Sequence, residues 1–330
     1  GEGAFLIEPQ KTNTFKYSED FSQGNWGKNS LTVTSNNIVS PDGTVNASLL
    51  TVTGSVSYLS QEQSLNSGDT FTISAFVKKG TNRWARLAYV SSSTSGAWFD
   101  LENIAVGTQS ANSVSASIEN YGNGWYRIKN TITSHTSTGL TFIGLSNSDG
   151  NTSDAVNDKT IYVWGLQVEE STFATSYIPT NASTVTRIAE RANSSGNSDL
   201  FNDSEGVLYL ELASLAEGVG NNKRLAISSG GPSNSVDFSF RATNNQIQIK
   251  IKSGGTTTVN TTTTISPAVT NFFKFAFKYK TDDCALFVNG TKVATDTSAA
   301  MPTGLNTLSF DRGDGGQDYI GKVKCIAVFK

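Results

Sequence analysis

Helical periodicity is the first thing this sequence lacks. No long run carries apolar residues at i, i+3, i+4 and i+7, so a helical bundle is excluded. No apolar segment approaches the roughly 20 residues that a membrane-spanning helix needs. Charge is sparse, with 16% charged residues and a net charge of −3. That balance lacks the basic face a nucleic-acid partner would call for. There is one histidine, His135, and there are two cysteines, Cys284 and Cys325. A zinc site built from both residue types is therefore missing, as are a phosphate-cradling loop and a G-x-S-x-G elbow. His135 stands in a Ser/Thr-rich segment and reads as a solvent-facing strand residue rather than a general base. The cysteines are expected to be buried strand thiols, which pack as small hydrophobes, or one disulfide if the chain is extracellular. The chain begins at Gly1 without methionine, which points to a trimmed product, so localisation is not read from that end.

What is present is Ser, Thr, Asn, Gly and β-branched residues, the composition of strands and turns. A hydrophobic content of 37% with five Trp is enough for packed cores. At 330 residues the chain suits two domains of ordinary size. Clear strands run from Thr70 to Val77, Trp84 to Val90, Ala97 to Leu101, Trp125 to Ile132, Leu140 to Leu145 and Ile161 to Val168. Gly/Asn clusters such as Asn66-Ser67-Gly68-Asp69 and Gly122-Asn123-Gly124 separate them. Short strands at this spacing predict an all-β sandwich. The run Ile161-Tyr162-Val163-Trp164-Gly165-Leu166-Gln167-Val168-Glu169 leaves its strand through Ser176-Tyr177-Ile178-Pro179-Thr180, where a proline ends the ladder.

These residues carry a resemblance. The passage from Ile161 to Arg187 resembles the closing strand and exit of a jelly-roll, carbohydrate-binding-module-like domain of bacteriophage tail proteins and related adhesins. Supporting segments, in order, are Leu6 to Asn13, Tyr17-Ser18-Glu19-Asp20-Phe21 with Trp26, Ser40-Pro41-Asp42-Gly43-Thr44, Ser74 to Gly80, Phe99-Asp100-Leu101 and Gly122 to Arg127. The expected first domain is 1–189, followed by a polar, flexible linker over 190–204 and a second domain over 205–330. In that second stretch Asn289-Gly290, between two apolar runs, predicts a type I′ hairpin. Ala285 to Val293, with Tyr319-Ile320-Gly321-Lys322-Val323, resembles concanavalin-like laminin-G modules. Such modules often continue into a short tail, so an extension beyond Lys330 is expected. The tract Thr256 to Thr264 is β-prone and reads as an edge strand. The expected fold class is therefore all-β, with a jelly roll followed by a concanavalin-like sandwich.

Function is expected to be non-catalytic carbohydrate binding. The acidic doublets Glu19-Asp20, Glu169-Glu170 and Asp282-Asp283 point to opposite strand faces, so they do not by themselves make a glycosidase pair. Sugar binding asks for aromatic rings against C–H faces and planar polar groups for hydroxyls. Trp26, Trp125 and Trp164 belong to the recurring motifs and read as packing. Trp84 and Trp98 do not, and Trp84 shares a strand face with Arg86, so Trp84, Arg86 and Trp98 form the candidate ligand patch. A structural Ca²⁺ is implied by the resemblance to both sandwich types. Its candidate ligands are Glu19, Asp20 and Glu169 in the first domain, and Asp311, Asp314 and Asp318 in the loop of the second. That loop also spells Arg312-Gly313-Asp314, a tripeptide that a Gly/Asp-rich loop generates by chance. The resemblance implies a virion-tail or extracellular location, a cell-surface or extracellular polysaccharide as partner, and a homo-oligomer, trimeric in a tail fibre; charge and hydropathy add the expectation of no nucleic acid and no membrane insertion. The competing expectations are a depolymerase with carboxylates in a sandwich cleft and a structural virion spacer without ligand.

Overall fold

The computed structural model describes residues 3–90, 94–134, 137–218 and 223–330, with backbone alone at 94 and 95. The described residues form strands, turns and irregular segments, with no helix among them. The strands begin with β1 (Phe5–Ile7), β2 (Lys11–Asn13), β3 (Gly27–Asn29), β4 (Leu31–Val39), β5 (Val45–Val52) and β6 (Ser57–Ser64). Next come β7 (Thr70–Lys79), β8 (Trp84–Val90), β9 (Thr94–Asp100), β10 (Ala105–Gln109) and β11 (Ser113–Gly122). They continue with β12 (Trp125–Thr133), β13 (Thr138–Ser146), β14 (Thr160–Glu169) and β15 (Val185–Arg187). The rest are β16 (Glu205–Ser214), β17 (Lys223–Ser228), β18 (Ser235–Phe240), β19 (Gln246–Ser253) and β20 (Thr256–Thr264). β21 (Phe273–Lys280), β22 (Cys284–Val288), β23 (Thr291–Asp296), β24 (Thr307–Ser309) and β25 (Gly321–Phe329) close the chain.

Two compact units result, one of residues 10–188 and one of residues 1–9 with 189–330. Each is a sandwich of antiparallel sheets. In the 10–188 unit the sheets run β10-β9-β8-β13-β6-β3 and β11-β12-β7-β14-β5-β4. The central orders β6-β13-β8-β9 and β5-β14-β7-β12, with the chain crossing between sheets at every step except the β8-β9 hairpin, are jelly-roll topology. Period-two alternation supplies the core. Phe71, Ile73, Ala75 and Val77 of β7 face Ala85, Leu87 and Tyr89 of β8, and all are fully buried.

The opening and closing segments of this unit are tied together by buried polar bonds. Asn13 has no exposed surface. Its Nδ2 donates to the carbonyls of Leu166 (3.1 Å) and Ile178 (2.9 Å), and its Oδ1 accepts from Phe15 N (3.2 Å) and Val168 N (3.1 Å). Thr180 Oγ1 donates to Phe15 O at 2.7 Å, and Gln167 Oε1 accepts from Ile178 N at 2.7 Å. At Gly165, φ is +60° where the pairing of β14 with β7 shifts register. A Cβ there would meet the Phe76 and Tyr177 rings at 3.0 and 3.3 Å, so only glycine fits the bulge without displacing them.

The second unit stacks β1-β25-β16-β21-β22-β23 on β20-β19-β18-β17-β24. Strand β19 reads Gln-Ile-Gln-Ile-Lys-Ile-Lys, and its three isoleucines are fully buried beside Phe238, Phe240, Phe273 and Phe275. Asn289 and Gly290 take φ of 49° and 82° between β22 and β23, the positive values a type I′ turn requires. Strand β20 lies at the sheet edge. Cys284 is a buried free thiol and Cys325 a half-buried one.

Two boundaries differ from the sequence expectation. β1 does not belong with 10–188: it pairs with β25, Phe5 opposite Val323 and Ile7 opposite Gly321, and Ile7 joins the second core. The jelly roll is thus inserted between β1 and the remainder of the other unit. The stretch 190–204 is not a free linker either. Ser195 bridges Leu308, Asn193 Nδ2 donates to Asp311 at 2.5 Å, Asp203 accepts from the amides of Gly304 and Leu305, and Phe201 is buried. Its polar residues, though mostly exposed, also bond groups of their own unit.

Candidate functional site

The outer face of the sheet β10-β9-β8-β13-β6-β3 carries the residues singled out from the sequence. Along β8, Ala85, Leu87 and Tyr89 point into the core, so Trp84, Arg86 and Ala88 point away from it. Register sets the cross-strand rows. Arg86 lies opposite Trp98 of β9 on one side and Gly144 of β13 on the other, and Gly144 lies opposite Tyr58 of β6. In the next row Ala88 faces Phe142, and Phe142 faces Ser60. Gly144 has no side chain to fill its place. A Cβ there would sit 3.4 Å from the Phe142 ring, which occupies that space.

The result is a continuous stack. The Arg86 guanidinium is 5.1 Å from the Trp98 ring centroid and 4.6 Å from that of Phe142, and the Phe142 ring is 4.9 Å from Tyr58. These are cation–π and aromatic contact distances. Trp98 and Arg86 retain 4% and 8% of their surface, while Trp84 and Tyr58 are half-buried. The expected open patch of Trp84, Arg86 and Trp98 therefore takes a different form. The three share one face, but Trp98 is covered because the segment after β13 crosses it, with Trp98 Nε1 donating to Asn151 O at 3.0 Å. That segment is held by Asp149, which accepts from Thr108 N (2.8 Å) and Thr108 Oγ1 (3.1 Å). Tyr58 and Phe142 were not singled out from the sequence; only the pairing of β13 with β6 and β8 brings them there.

Charge at the edge of this face is balanced. Asp100 accepts from Arg83 Nε (3.0 Å) and Nη2 (2.6 Å), and from the amides of Glu102 and Asn103. The Arg83 hydrogen bonds, joined by those amides, hold the Asp100 carboxyl well below the usual carboxylate range. Arg83 also lies over the Trp84 ring at 5.4 Å. Burial pulls the Arg86 guanidinium down to about 10, opposed only by Tyr58.

The carboxylates proposed from sequence for calcium are not gathered. Among the described residues no three of His, Cys, Asp and Glu converge on a common point. Asp20 accepts from Ser22 N and Gln23 Nε2, closing its own turn. Glu19 accepts from Tyr177 Oη at 3.1 Å and Asn46 Nδ2 at 3.2 Å. Glu169 is fully buried and is taken up by Gln167 Nε2, Thr175 N and Thr175 Oγ1. In the other unit Asp311 accepts from Asn193 Nδ2 and Gly313 N, and Asp318 accepts from Arg191 at 3.1 Å. Asp314 pairs with Arg312 at 2.5 Å, closing the Arg312-Gly313-Asp314 tripeptide on itself. His135 lies outside the described residues.

The opposite sheet of the same unit holds a feature that sequence reading passed over. A cleft of about 430 Å³ is bordered by Ser40, Lys78, Tyr121, Asn123, Trp125 and Tyr162. Trp125 Nε1 donates to Val39 O at 3.1 Å, and Lys78 Nζ to Asn123 O at 2.8 Å. Tyr121 is 50% exposed, its ring edge-on to Phe76 at 4.8 Å. The one available signal was Tyr121 beside the Gly122-Asn123-Gly124 turn, within a motif whose Trp125 reads as packing.

No protein-family model matches the chain, and no curated protein matches it. Among solved structures the chain is similar to mouse laminin alpha1 chain, domains LG4-5, at 12% identity and a TM-score of 0.29, over 81% of this chain and 84% of that one.

Proposed function

We propose that this protein is a non-catalytic saccharide-binding protein, and that its ligand lies along the outer face formed by β9, β8, β13 and β6. The supporting observation is the row of Trp98, Arg86, Phe142 and Tyr58 outside the sandwich core, flanked by Trp84. Half-exposed Trp84 and Tyr58 offer ring faces to pyranose C–H groups, and a guanidinium offers the fixed donor geometry that hydroxyl and acid oxygens accept. The buried Trp98 and Phe142 serve as the floor that holds Arg86. In this proposal the partner is a cell-surface or extracellular polysaccharide, as in a phage tail-associated receptor-binding protein or adhesin. Repeated copies would multiply weak single-site affinity.

The test is retention on a polysaccharide affinity gel. Trp84→Ala and Tyr58→Ala are expected to lose retention about tenfold or more while melting as the parent does. Parent-like retention by both variants would sink this site. Release of reducing ends or unsaturated products from the polysaccharide would instead mark a depolymerase. A second location is favoured by one observation, the 430 Å³ cleft beside Tyr121 and Tyr162. Loss of retention in Tyr121→Ala, with Trp84→Ala unaffected, would move the ligand there.

A further inference from the structure

Three arginines are buried among the described residues, and their guanidinium groups are treated differently. Arg224 donates Nη1 to Asp237 at 2.9 Å and Nε to Gln317 at 2.5 Å. Arg127 donates Nη2 to Ser74 Oγ at 3.0 Å and lies over Phe76, and its Nε is buried without a partner, so it is anchored by one hydrogen bond where Arg86 has none. Arg86 gives no hydrogen bond to any described residue, and its Nη1 is shut from water without a partner. It is paired with no carboxylate there. Asp100 is bound by Arg83, Asp149 by Thr108, and Asp154 by Asn147 and Ser148. Glu102 at the same edge pairs with Lys79 and Arg83, and exposed Glu62 lies opposite Leu140, two cross-strand rows from the row of Arg86 and Tyr58.

Two aromatic faces recover part of the cost of removing a cation from water, but they supply no acceptors. An aliphatic side chain would fill the same slot between Trp98 and Phe142 with no charge to desolvate and no N–H to leave unpaired. Nη1 is closed to the outside, but Nε and Nη2 are not among the sealed atoms and give no hydrogen bond to any described residue, so these two donors, walled by flat rings, are suited to a planar or tetrahedral oxyanion presented from outside. The half-exposed rings of Trp84 and Tyr58 on the same face require that this anion be carried on something with an apolar surface to stack, rather than arrive as a free ion.

Resting on the saccharide-binding proposal above, we infer that the ligand is an acidic saccharide, whose carboxylate or sulfate docks on Arg86 while its ring lies against Trp84 or Tyr58. Long-range attraction does not supply this selectivity, since the chain as a whole carries a net charge of −3. Discrimination comes from one desolvated cation.

The test uses the full chain on an array in which each uronate or sialate glycan is printed beside its methyl ester, and each sulfated glycan beside its desulfated form. The wild type is expected to prefer at least one acidic member over its neutral twin by about tenfold or more, the scale of a charge-assisted hydrogen bond. Whether the ester or the desulfated pair separates tells carboxylate from sulfate. Arg86→Met should erase the preference and melt at or above the wild-type temperature. Equal retention of the paired glycans, or an acid preference that survives Arg86→Met, overturns the inference and leaves saccharide binding standing. Retention of no member removes the underlying proposal with it. A melting point that falls in Arg86→Met, is restored by Arg86→Lys and leaves glycan preference unchanged would make Arg86 a structural cation and overturn the inference too.

Discussion

The structure gives Asn13 a job that its neighbours in sequence do not reveal. Its four hydrogen bonds reach Phe15 nearby and Leu166, Val168 and Ile178 at the far end of the unit. A buried neutral hydrogen bond contributes about 1 kcal/mol, and more is lost when its partners are left unpaired. Asn13→Ala is therefore expected to lower stability by ~3 kcal/mol or more, read as a reduced midpoint in urea unfolding. Trp98 belongs to the same class. Removing its ring from beneath the Asn151 segment is expected to cost ~3–5 kcal/mol, so Trp98→Ala reports on folding where Trp84→Ala reports on ligand. Asp100 gives a pH dependence. Its folded pKa lies below the ordinary value of about 3.9, so its contribution is fully present above that value and is lost as pH falls toward the folded one. The melting-temperature gap between wild type and Asp100→Asn should be open at pH 7 and narrow steadily below about pH 4. These residues were visible as letters. Their partners, drawn from distant strands, were not.

At the scale of elements, legibility followed the locality of the cause. The Asn289-Gly290 turn was readable because two adjacent residues meet its whole requirement, positive φ at both positions. Gly290→Ala is expected to lose about 1 kcal/mol or more by denaturant unfolding, since no L side chain takes φ 82° without strain. The Thr256–Thr264 tract was readable as an edge strand for a similar reason: it is β-prone throughout and polar except for the buried Val259. The 190–204 stretch misled because its polarity has two meanings. Asn193, Ser195 and Asp203 look solvated in sequence, yet they satisfy backbone groups of their own unit while Phe201 enters the core. The candidate site was legible only by halves. Alternation placed Trp84 with Arg86, but which strand lies beside β8 is a matter of pairing, and that pairing brought in Phe142 and Tyr58 and buried Trp98.

The whole molecule shows the largest difference. Residues 1–9 belong to the unit that resumes at Ala189, so one sandwich is interrupted by the other. Deleting them should leave the jelly roll intact and weaken the other unit, because β25 loses a paired neighbour and the second core loses Ile7. Hydrogen exchange checks this: amides of β25 should lose protection in the truncated chain, while those of β7 and β14 keep it. The sequence by itself determined that the chain is all-β, roughly where its strands lie, and which passages are turns. Period-two burial and the φ demands of glycine and asparagine act between residues a few positions apart. Only the tertiary contacts set the pairing of β1 with β25, the hydrogen bonds that each calcium candidate accepts from its own neighbours, and the burial of Arg86 between two rings without an acceptor among the described residues. Those outcomes depend on contacts between residues far apart in the chain, where the local pattern is compatible with several pairings and the packed core selects one.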